Sequence, residues 1–123
     1  MNNSLDIRKT IQSEFRQYEE AFAQSLQSDN ALLRQVLDYI HSKRGKQLRP
    51  ILVLLSAALC RGVTEKTIQT AVALELMHTA CLIHDDVVDD SPMRRGGEAV
   101  HALWNNKIAV LVGDYILTRV MAI

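Results

Sequence analysis

Four aspartates lie within six residues of the chain, and two arginines follow them closely. The acidic run is Asp85-Asp86-Val87-Val88-Asp89-Asp90, and the basic pair is Arg94-Arg95. Carboxylates are preferred ligands of Mg²⁺, which usually takes one or two of them together with phosphate oxygens and water. Arginine can bind phosphate through two parallel hydrogen bonds. The stretch therefore predicts a site for divalent cations and an anionic substrate, with a solvated acidic helix end as the alternative.

The acidic run closes an apolar stretch with helical periodicity, so we expect its first three aspartates to share one side of a helix. Asp89 would lie about 40° around the axis from Asp85, and Asp86 about 100° from Asp85. Negative side chains at a helix C-terminus oppose the helix dipole, and a bound cation would reverse that penalty. Asp90 would lie about 140° from Asp85, away from the others.

A second group of candidates is basic and precedes the acidic run. Lys46 and Arg49 flank a turn after Gly45, and together they could cradle a phosphate; a solvated basic loop is the alternative. His78 would lie about 20° from Asp85 and about 10 Å along the same helix. It could reach a substrate held at the aspartates, or it could be a core histidine. The segment lacks the second glycine and Ser/Thr of a Walker motif.

Composition restricts the classes of protein to which the chain can belong. Its 123 residues are enough for one domain. Its net charge is zero, so no overall positive charge would attract nucleic acid or an anionic membrane. Cys60 and Cys81 lie in apolar helical stretches, where we expect buried free thiols. The amino terminus does not resemble a signal peptide, and the apolar run Ile51 to Cys60 is too short to cross a bilayer. We expect a cytoplasmic protein.

The elements that must position these residues are all helical, because nearly the whole sequence has helical period and no strand-like alternation. The fold class predicted is all-α, with about five to six helices in one domain over residues 1–123. The first expected helices run from about Ser4 to Gln27, from an N-cap at Asp29 or Asn30 to about Ile40, and from Pro50 to Cys60. A long helix follows from an N-cap at Thr64 to about Asp89. The helical pattern resumes near His101 and runs, after Asn105-Asn106, through Ile108 to Ile123. Gly62 is expected as a left-handed cap, Ser91 to Val100 as a loop, and Ile51 to Cys60 as a helix buried on most sides.

Together these residues resemble the trans-polyprenyl diphosphate synthase family. Gly45-Lys46-Gln47-Leu48-Arg49-Pro50 is similar to its first basic motif, and Glu75 to Asp89 to its first aspartate-rich helix. Arg94-Arg95-Gly96 matches the arginine pair that follows, and Val112-Gly113-Asp114-Tyr115 matches a later helix. The resemblance extends from Gly45 to the end and implies the helical bundle of isoprenoid synthases.

The resemblance also implies an activity, which is Mg²⁺-dependent condensation of isopentenyl diphosphate, head to tail, with an allylic diphosphate. Asp85 and Asp89 are then the metal ligands, with Asp86 supporting them, and Arg94 holds the allylic diphosphate. The diphosphate of isopentenyl diphosphate would be held by Lys46, Arg49, His78 and Arg95. The family also suggests a homodimer for the full-length protein.

Product length can be argued from the residues before the aspartates. Ala80 and Cys81 are small, so no aromatic side chain closes a channel beside this helix. The acidic run also lacks the two-residue insertion of bacterial short-chain synthases. We expect a medium- or long-chain product.

The sequence departs from the family in three ways. Arg44 stands where the family often has a second glycine before the lysine, Cys81 stands where serine is common, and the second aspartate-rich motif is absent. Because the apolar pattern also stops in mid-helix at Ile123, we expect an amino-terminal piece that is inactive alone. The alternatives are a non-catalytic subunit that binds or regulates a synthase, and a terpene cyclase fragment. Lys46, Arg49 and Arg95 argue against the cyclase, which handles no second diphosphate.

Overall fold

The structure is a computed structural model that describes residues 9–43, 45–94 and 97–123, and most of them are helical. The helices are α1 Gln12–Ser25, α2 Ala31–Ser42, α3 Leu48–Cys60, α4 Glu65–Val88, α5 Val100–Leu103 and α6 Asn106–Ala122. The all-α prediction is confirmed. Residues 1–8 lie outside the described part, and Ile11 forms a turn before α1 (φ −117°, ψ 27°), so the continuous helix expected from Ser4 to Gln27 is interrupted there.

Local signals in the sequence set several helix ends as predicted. Asn30 caps α2, because its side-chain oxygen accepts a hydrogen bond from the Leu33 amide at 3.0 Å. Thr64 and Thr67 cap α4 reciprocally through their side chains and amides. Gly62 has φ +95°, as a left-handed cap after α3 requires. Pro50 lies in the first turn of α3 but not at its first position, which is Leu48.

Helix α4 is the centre of the bundle and packs against α1, α3 and α6. Its buried positions include Ile68, Val72, Leu76 and Ile83, which face the other helices. The largest fully buried side chains of the core are Tyr18, Phe22, Ile11, Leu37, Leu54, Leu76 and Ile116. The helix that carries the acidic run is therefore held on several sides.

Two predictions about burial are wrong. Helix α3 is not buried on most sides: Leu54 is inaccessible, whereas Leu52 and Leu59 are 62% and 86% exposed. Cys60 and Cys81 are free thiols, as expected, but both are exposed. No helix among residues 9–43, 45–94 and 97–123 has the length and hydropathy needed to cross a membrane.

The segment between α4 and α5 contains a short antiparallel β-hairpin that the sequence did not predict. Its strands are β1 Met93–Arg94 and β2 Gly97–Glu98, with Met93 paired to Glu98 and Arg94 to Gly97. Strands of two residues are too short to show the alternation by which a strand is recognised. Within the segment expected as a loop, the described residues 93–94 and 97–98 are therefore paired as strands.

Candidate functional site

The C-terminal end of α4 exposes two of the predicted metal ligands on one side. Asp85 and Asp89 are exposed and one helical turn apart, and the Asp89 amide donates to the Asp85 carbonyl oxygen at 2.8 Å. Side chains at this spacing are neighbours, about 5–6 Å apart at Cβ. Asp90 leaves the helix in a left-handed conformation with φ 54°. The chain turns there, so Asp90 is not part of the helical array.

Asp86 points inward, unlike its two neighbours. It is 4% exposed, and both carboxylate oxygens accept hydrogen bonds from Arg94. Arg94 Nε donates to Oδ2 at 3.1 Å, and a terminal guanidinium nitrogen donates to Oδ1. The hydrogen bond to Asp86 raises the pKa of Arg94 above its ordinary value, and partial desolvation opposes that shift. The structure thus brings one predicted ligand and one predicted anion-binding residue together as a bidentate pair.

Backbone contacts tie the β-hairpin to the end of α4. The Ser91 amide donates to the Asp86 carbonyl oxygen at 2.9 Å, and the Ala99 amide donates to the Pro92 carbonyl oxygen at 2.8 Å. His101 Nε2 lies 2.6 Å from the Ser91 carbonyl oxygen. The sequence showed no partner for His101, because this contact joins residues that meet only once the segment folds back.

The predicted basic group lies at the start of α3. Gln47 is left-handed (φ 61°) and 9% exposed, and its Oε1 accepts a hydrogen bond from the Tyr18 hydroxyl at 3.0 Å. With Gln47 turned inward against α1, Lys46 and Arg49 on either side of it are exposed. Sequence reasoning singled out the two cations but missed the glutamine between them.

Helix packing places this basic group beside the middle of α4. Helices α3 and α4 pack together and are joined by only the four residues 61–64, so they run antiparallel. Residues equally far from this connection lie side by side on the two helices. The start of α3 is therefore level with Glu75 to His78 of α4. His78 is partly buried there. The basic group and the aspartates therefore lie about two helical turns apart along one helix, roughly 10 Å.

A buried carboxylate that the sequence did not single out lies at the same level. Glu75 is 3% exposed, and its Oε2 has no hydrogen-bond partner among the described residues. Gln47 Nε2 is likewise buried without a partner in that part of the chain. Buried polar groups are usually hydrogen-bonded. The burial of Glu75 could have been predicted from its place in the middle of the apolar stretch of α4.

His84 contacts α6. Its Nε2 lies 3.1 Å from the Val110 carbonyl oxygen and 3.4 Å from an Asp114 carboxylate oxygen. A Cβ atom added at Gly113 would overlap the His84 ring. The close approach of α4 and α6 thus depends on a glycine opposite this histidine.

The donors present suit a cation that completes its coordination with other oxygens. No group of three potential His, Cys, Asp or Glu ligands is assembled within the described residues. Asp85 and Asp89 remain as two accessible carboxylates, which is the number that Mg²⁺ commonly takes when phosphate oxygens and water supply the rest. Asp86 is already engaged by Arg94. The second arginine, Arg95, lies outside the described residues.

Comparison with known proteins agrees with this arrangement. The polyprenyl synthetase family model matches residues 30–123. Over 115 residues the chain is 39% identical to an all-trans-nonaprenyl-diphosphate synthase (geranyl-diphosphate specific) of Rhodobacter capsulatus, covering 93% of this chain and 35% of that protein. It is 40% identical over 101 residues to heptaprenyl diphosphate synthase component 2 of Geobacillus stearothermophilus, covering 82% of this chain and 32% of that protein.

A solved structure shows the same fold. The polyprenyl synthase of Caulobacter crescentus CB15, complexed with calcium and isoprenyl diphosphate, superposes with a TM-score of 0.90 at 31% identity. The superposition covers 97% of this chain and 36% of that one. The chain thus spans about a third of the length of the relatives that it matches. With a family model matched over most of its length, the chain belongs to the polyprenyl synthetase family.

Proposed function

We propose that this chain is the part of a trans-polyprenyl diphosphate synthase that binds Mg²⁺ and the two diphosphate substrates. The reaction is the head-to-tail condensation of isopentenyl diphosphate with an allylic diphosphate. One observation carries the proposal: Asp85 and Asp89 are exposed at the end of α4 beside an arginine fixed on Asp86. The relatives are named as nonaprenyl- and heptaprenyl-diphosphate synthases, which supports this activity.

Asp85 and Asp89 are the proposed metal ligands. Their exposure leaves both carboxylates available to a cation that also binds diphosphate, and the calcium in the Caulobacter crescentus complex supports a divalent cation in this family. When bound, Mg²⁺ would stabilise the negative charge of the departing diphosphate. Asp86 supports the site through Arg94, because its own oxygens are occupied.

The cationic side chains would hold the two diphosphates separately. Arg94 binds the allylic diphosphate. Its guanidinium has five N–H donors, and those not bonded to Asp86 can donate hydrogen bonds to the diphosphate. Lys46, Arg49, His78 and Arg95 hold the diphosphate of isopentenyl diphosphate. The two-turn separation along α4 sets Lys46, Arg49 and His78 apart from the site of Arg94. Donors fixed in advance stabilise developing charge better than donors that must reorganise.

The product is proposed to be a medium- or long-chain polyprenyl diphosphate. Cys81 is exposed on α4, and Ala80 beside it is inaccessible and small, so neither side chain obstructs a chain running along this helix. The names of the nonaprenyl and heptaprenyl relatives support this length.

Further polypeptide is needed to complete the site, and we propose that the 123 residues are inactive alone. No group of three possible metal ligands is assembled among the described residues. Leu74 and Met77, on the helix that carries the aspartates, are 38% and 44% exposed and would be covered by that polypeptide. A homodimer of the complete protein and a cytoplasmic location stay predictions.

A non-catalytic subunit that binds or regulates a synthase is the second candidate. The match to a protein named as component 2 of a heptaprenyl diphosphate synthase favours assembly with a partner. Exposed Asp85 and Asp89 argue for a binding role in either case. Co-purification with a complete synthase, together with altered product on mixing, would favour the subunit.

Titration calorimetry with inorganic diphosphate, with and without Mg²⁺, tests the proposal on the chain as it is. We expect Mg²⁺-dependent binding that Asp85→Asn and Asp89→Asn each weaken by about tenfold or more, the loss of one ligand carboxylate. Asp38→Asn is the matched control, since Asp38 is an exposed carboxylate on α2 and should have no effect. Equal binding by all four proteins, or none by the parent, would refute the proposed site.

A further inference from the structure

The β-hairpin that carries Arg94 is fastened to a distant part of the chain by one side chain. The Tyr39 hydroxyl, near the end of α2, donates to the Glu98 carbonyl oxygen at 2.6 Å. Glu98 lies in β2, and β2 is paired with the strand that contains Arg94. The bond therefore joins α2 to the hairpin across 59 residues of sequence.

Contacts around the Tyr39 ring fix the hydroxyl in place. The ring meets Trp104 edge-on, with centroids 5.5 Å apart, and Lys43 Nζ lies over the ring, 5.9 Å from its centroid. Gly97 in β2 leaves room for this arrangement, because a Cβ atom there would come within 3.1 Å of both Lys43 Cε and the Tyr39 oxygen. These contacts orient the tyrosine hydroxyl toward the Glu98 carbonyl. Because the side chain has only two rotatable angles, fixing it costs little conformational entropy.

Packing alone does not hold the hairpin against the bundle. A cavity of about 60 Å³ remains between α2, α4 and the hairpin, and Tyr39, Asp86 and Arg94 all line it. That space exceeds what a single water needs. Because a space remains here, the side-chain contacts of Arg94 with Asp86 and of Tyr39 with Glu98 help to set the position of β1 and β2, together with the backbone bonds described above.

We propose that Tyr39 is a positioning residue, which holds the hairpin so that Arg94 stays on Asp86 and faces the diphosphate. The inference rests on the proposed function only for the part played by Arg94 in binding diphosphate. Tyr39 itself touches neither metal nor substrate. Its hydroxyl acts on the far strand of the hairpin, and the strand pairing between Arg94 and Gly97 transmits the restraint.

Tyr39→Phe is the test variant, since it removes the hydroxyl and keeps the ring that packs on Trp104. Tyr115→Phe is the matched control: its hydroxyl also donates to a backbone carbonyl oxygen, that of Gln27, at 3.1 Å. Both variants lose one tyrosine hydrogen bond, so their global stability, measured by urea unfolding, should fall by similar amounts. Only Tyr39→Phe should affect Arg94.

Two measurements read the position of Arg94. In ¹⁵N NMR spectra, hydrogen exchange of the Arg94 Nε–H should be about five- to tenfold faster in Tyr39→Phe, the factor that one lost hydrogen bond allows. Affinity for inorganic diphosphate with Mg²⁺ should fall by a similar factor. Tyr115→Phe should match the parent in both.

The outcomes separate the two proposals. Slower or unchanged Nε–H exchange in Tyr39→Phe would overturn the inference, whatever the affinities are. If the parent binds no diphosphate, the proposed function fails, and the exchange rates still decide whether Tyr39 positions Arg94. Faster exchange with unchanged affinity would refute the link from Tyr39 to diphosphate binding.

Discussion

Arg94 binds both carboxylate oxygens of Asp86, so the three aspartates of the acidic run do not form one equivalent set. Asp85 and Asp89 face solvent, whereas Asp86 is 4% exposed and turned toward the hairpin. The pair neutralises a carboxylate that would otherwise be buried unpaired at the negative end of a helix. It also fixes the guanidinium beside the exposed carboxylates. The two proposed metal ligands and the proposed anion-binding arginine therefore lie together at one helix end.

Removing Arg94 should destabilise the fold more than removing an exposed arginine. Arg94→Ala leaves the Asp86 carboxylate without its partner, which we expect to cost about 1–3 kcal/mol, reduced from the value for fully buried pairs because the Arg94 side chain is partly exposed. Arg61→Ala, at an exposed position after α3, should cost less than about 0.5 kcal/mol. Urea unfolding of the two variants measures the difference, and equal losses would show that the pair adds nothing to stability.

Features of the sequence that act over a few residues predicted the structure well. Asn30, Gly62 and Thr64 end or begin helices as expected, because capping depends on neighbouring backbone groups. The shared side of Asp85 and Asp89 follows from helical period alone. These parts of the fold and the site could be predicted without knowing what packs where.

Features that depend on distant contacts could not be predicted in this way. An apolar pattern shows that a helix can be buried, but it does not show that other elements cover it. Leu52 and Leu59 of α3, for example, are exposed. The bond from Tyr39 to Glu98 and the burial of Gln47 against Tyr18 both join residues far apart in sequence. Asp86 follows the buried positions of α4, three residues after Ile83, but its pairing with Arg94 forms only once the hairpin folds back.

Gly113 should be required for the contact between α4 and α6. Alanine normally favours a helix over glycine, but at Gly113 its Cβ would overlap the His84 ring, so we expect Gly113→Ala to cost about 1–3 kcal/mol. In the double variant Gly113→Ala, His84→Ala, the overlap is removed. The double variant should therefore lose less stability than the two single variants together, by at least about 1 kcal/mol. Additive losses in thermal unfolding would mean that the two residues do not oppose each other.

Two leucines of α3 should differ sharply in their contributions to stability. Leu54 is inaccessible, so Leu54→Ala should cost about 2–5 kcal/mol, whereas Leu52→Ala at 62% exposure should cost less than about 0.5 kcal/mol. Leu52 and Leu59 on this helix also expose apolar area that favours association. Leu52→Gln should therefore lower any self-association seen by light scattering without lowering stability. A large loss of stability in Leu52→Ala would contradict the exposure found for this helix.

The division of the aspartates should be visible in how diphosphate binding depends on metal. Asp85→Asn and Asp89→Asn remove proposed ligands, so each should raise the Mg²⁺ concentration needed for half-maximal diphosphate binding by about tenfold or more. Asp86→Asn should leave that concentration nearly unchanged, because Asp86 is occupied by Arg94. It should instead weaken diphosphate binding at saturating Mg²⁺ by about three- to tenfold, since the guanidinium loses its charged partner. Titrations of Mg²⁺ at fixed diphosphate, and of diphosphate at fixed Mg²⁺, separate the two effects. If Asp86→Asn shifts the Mg²⁺ dependence as far as Asp85→Asn does, then Asp86 is a metal ligand in the bound state and its pair with Arg94 must open when the cation binds.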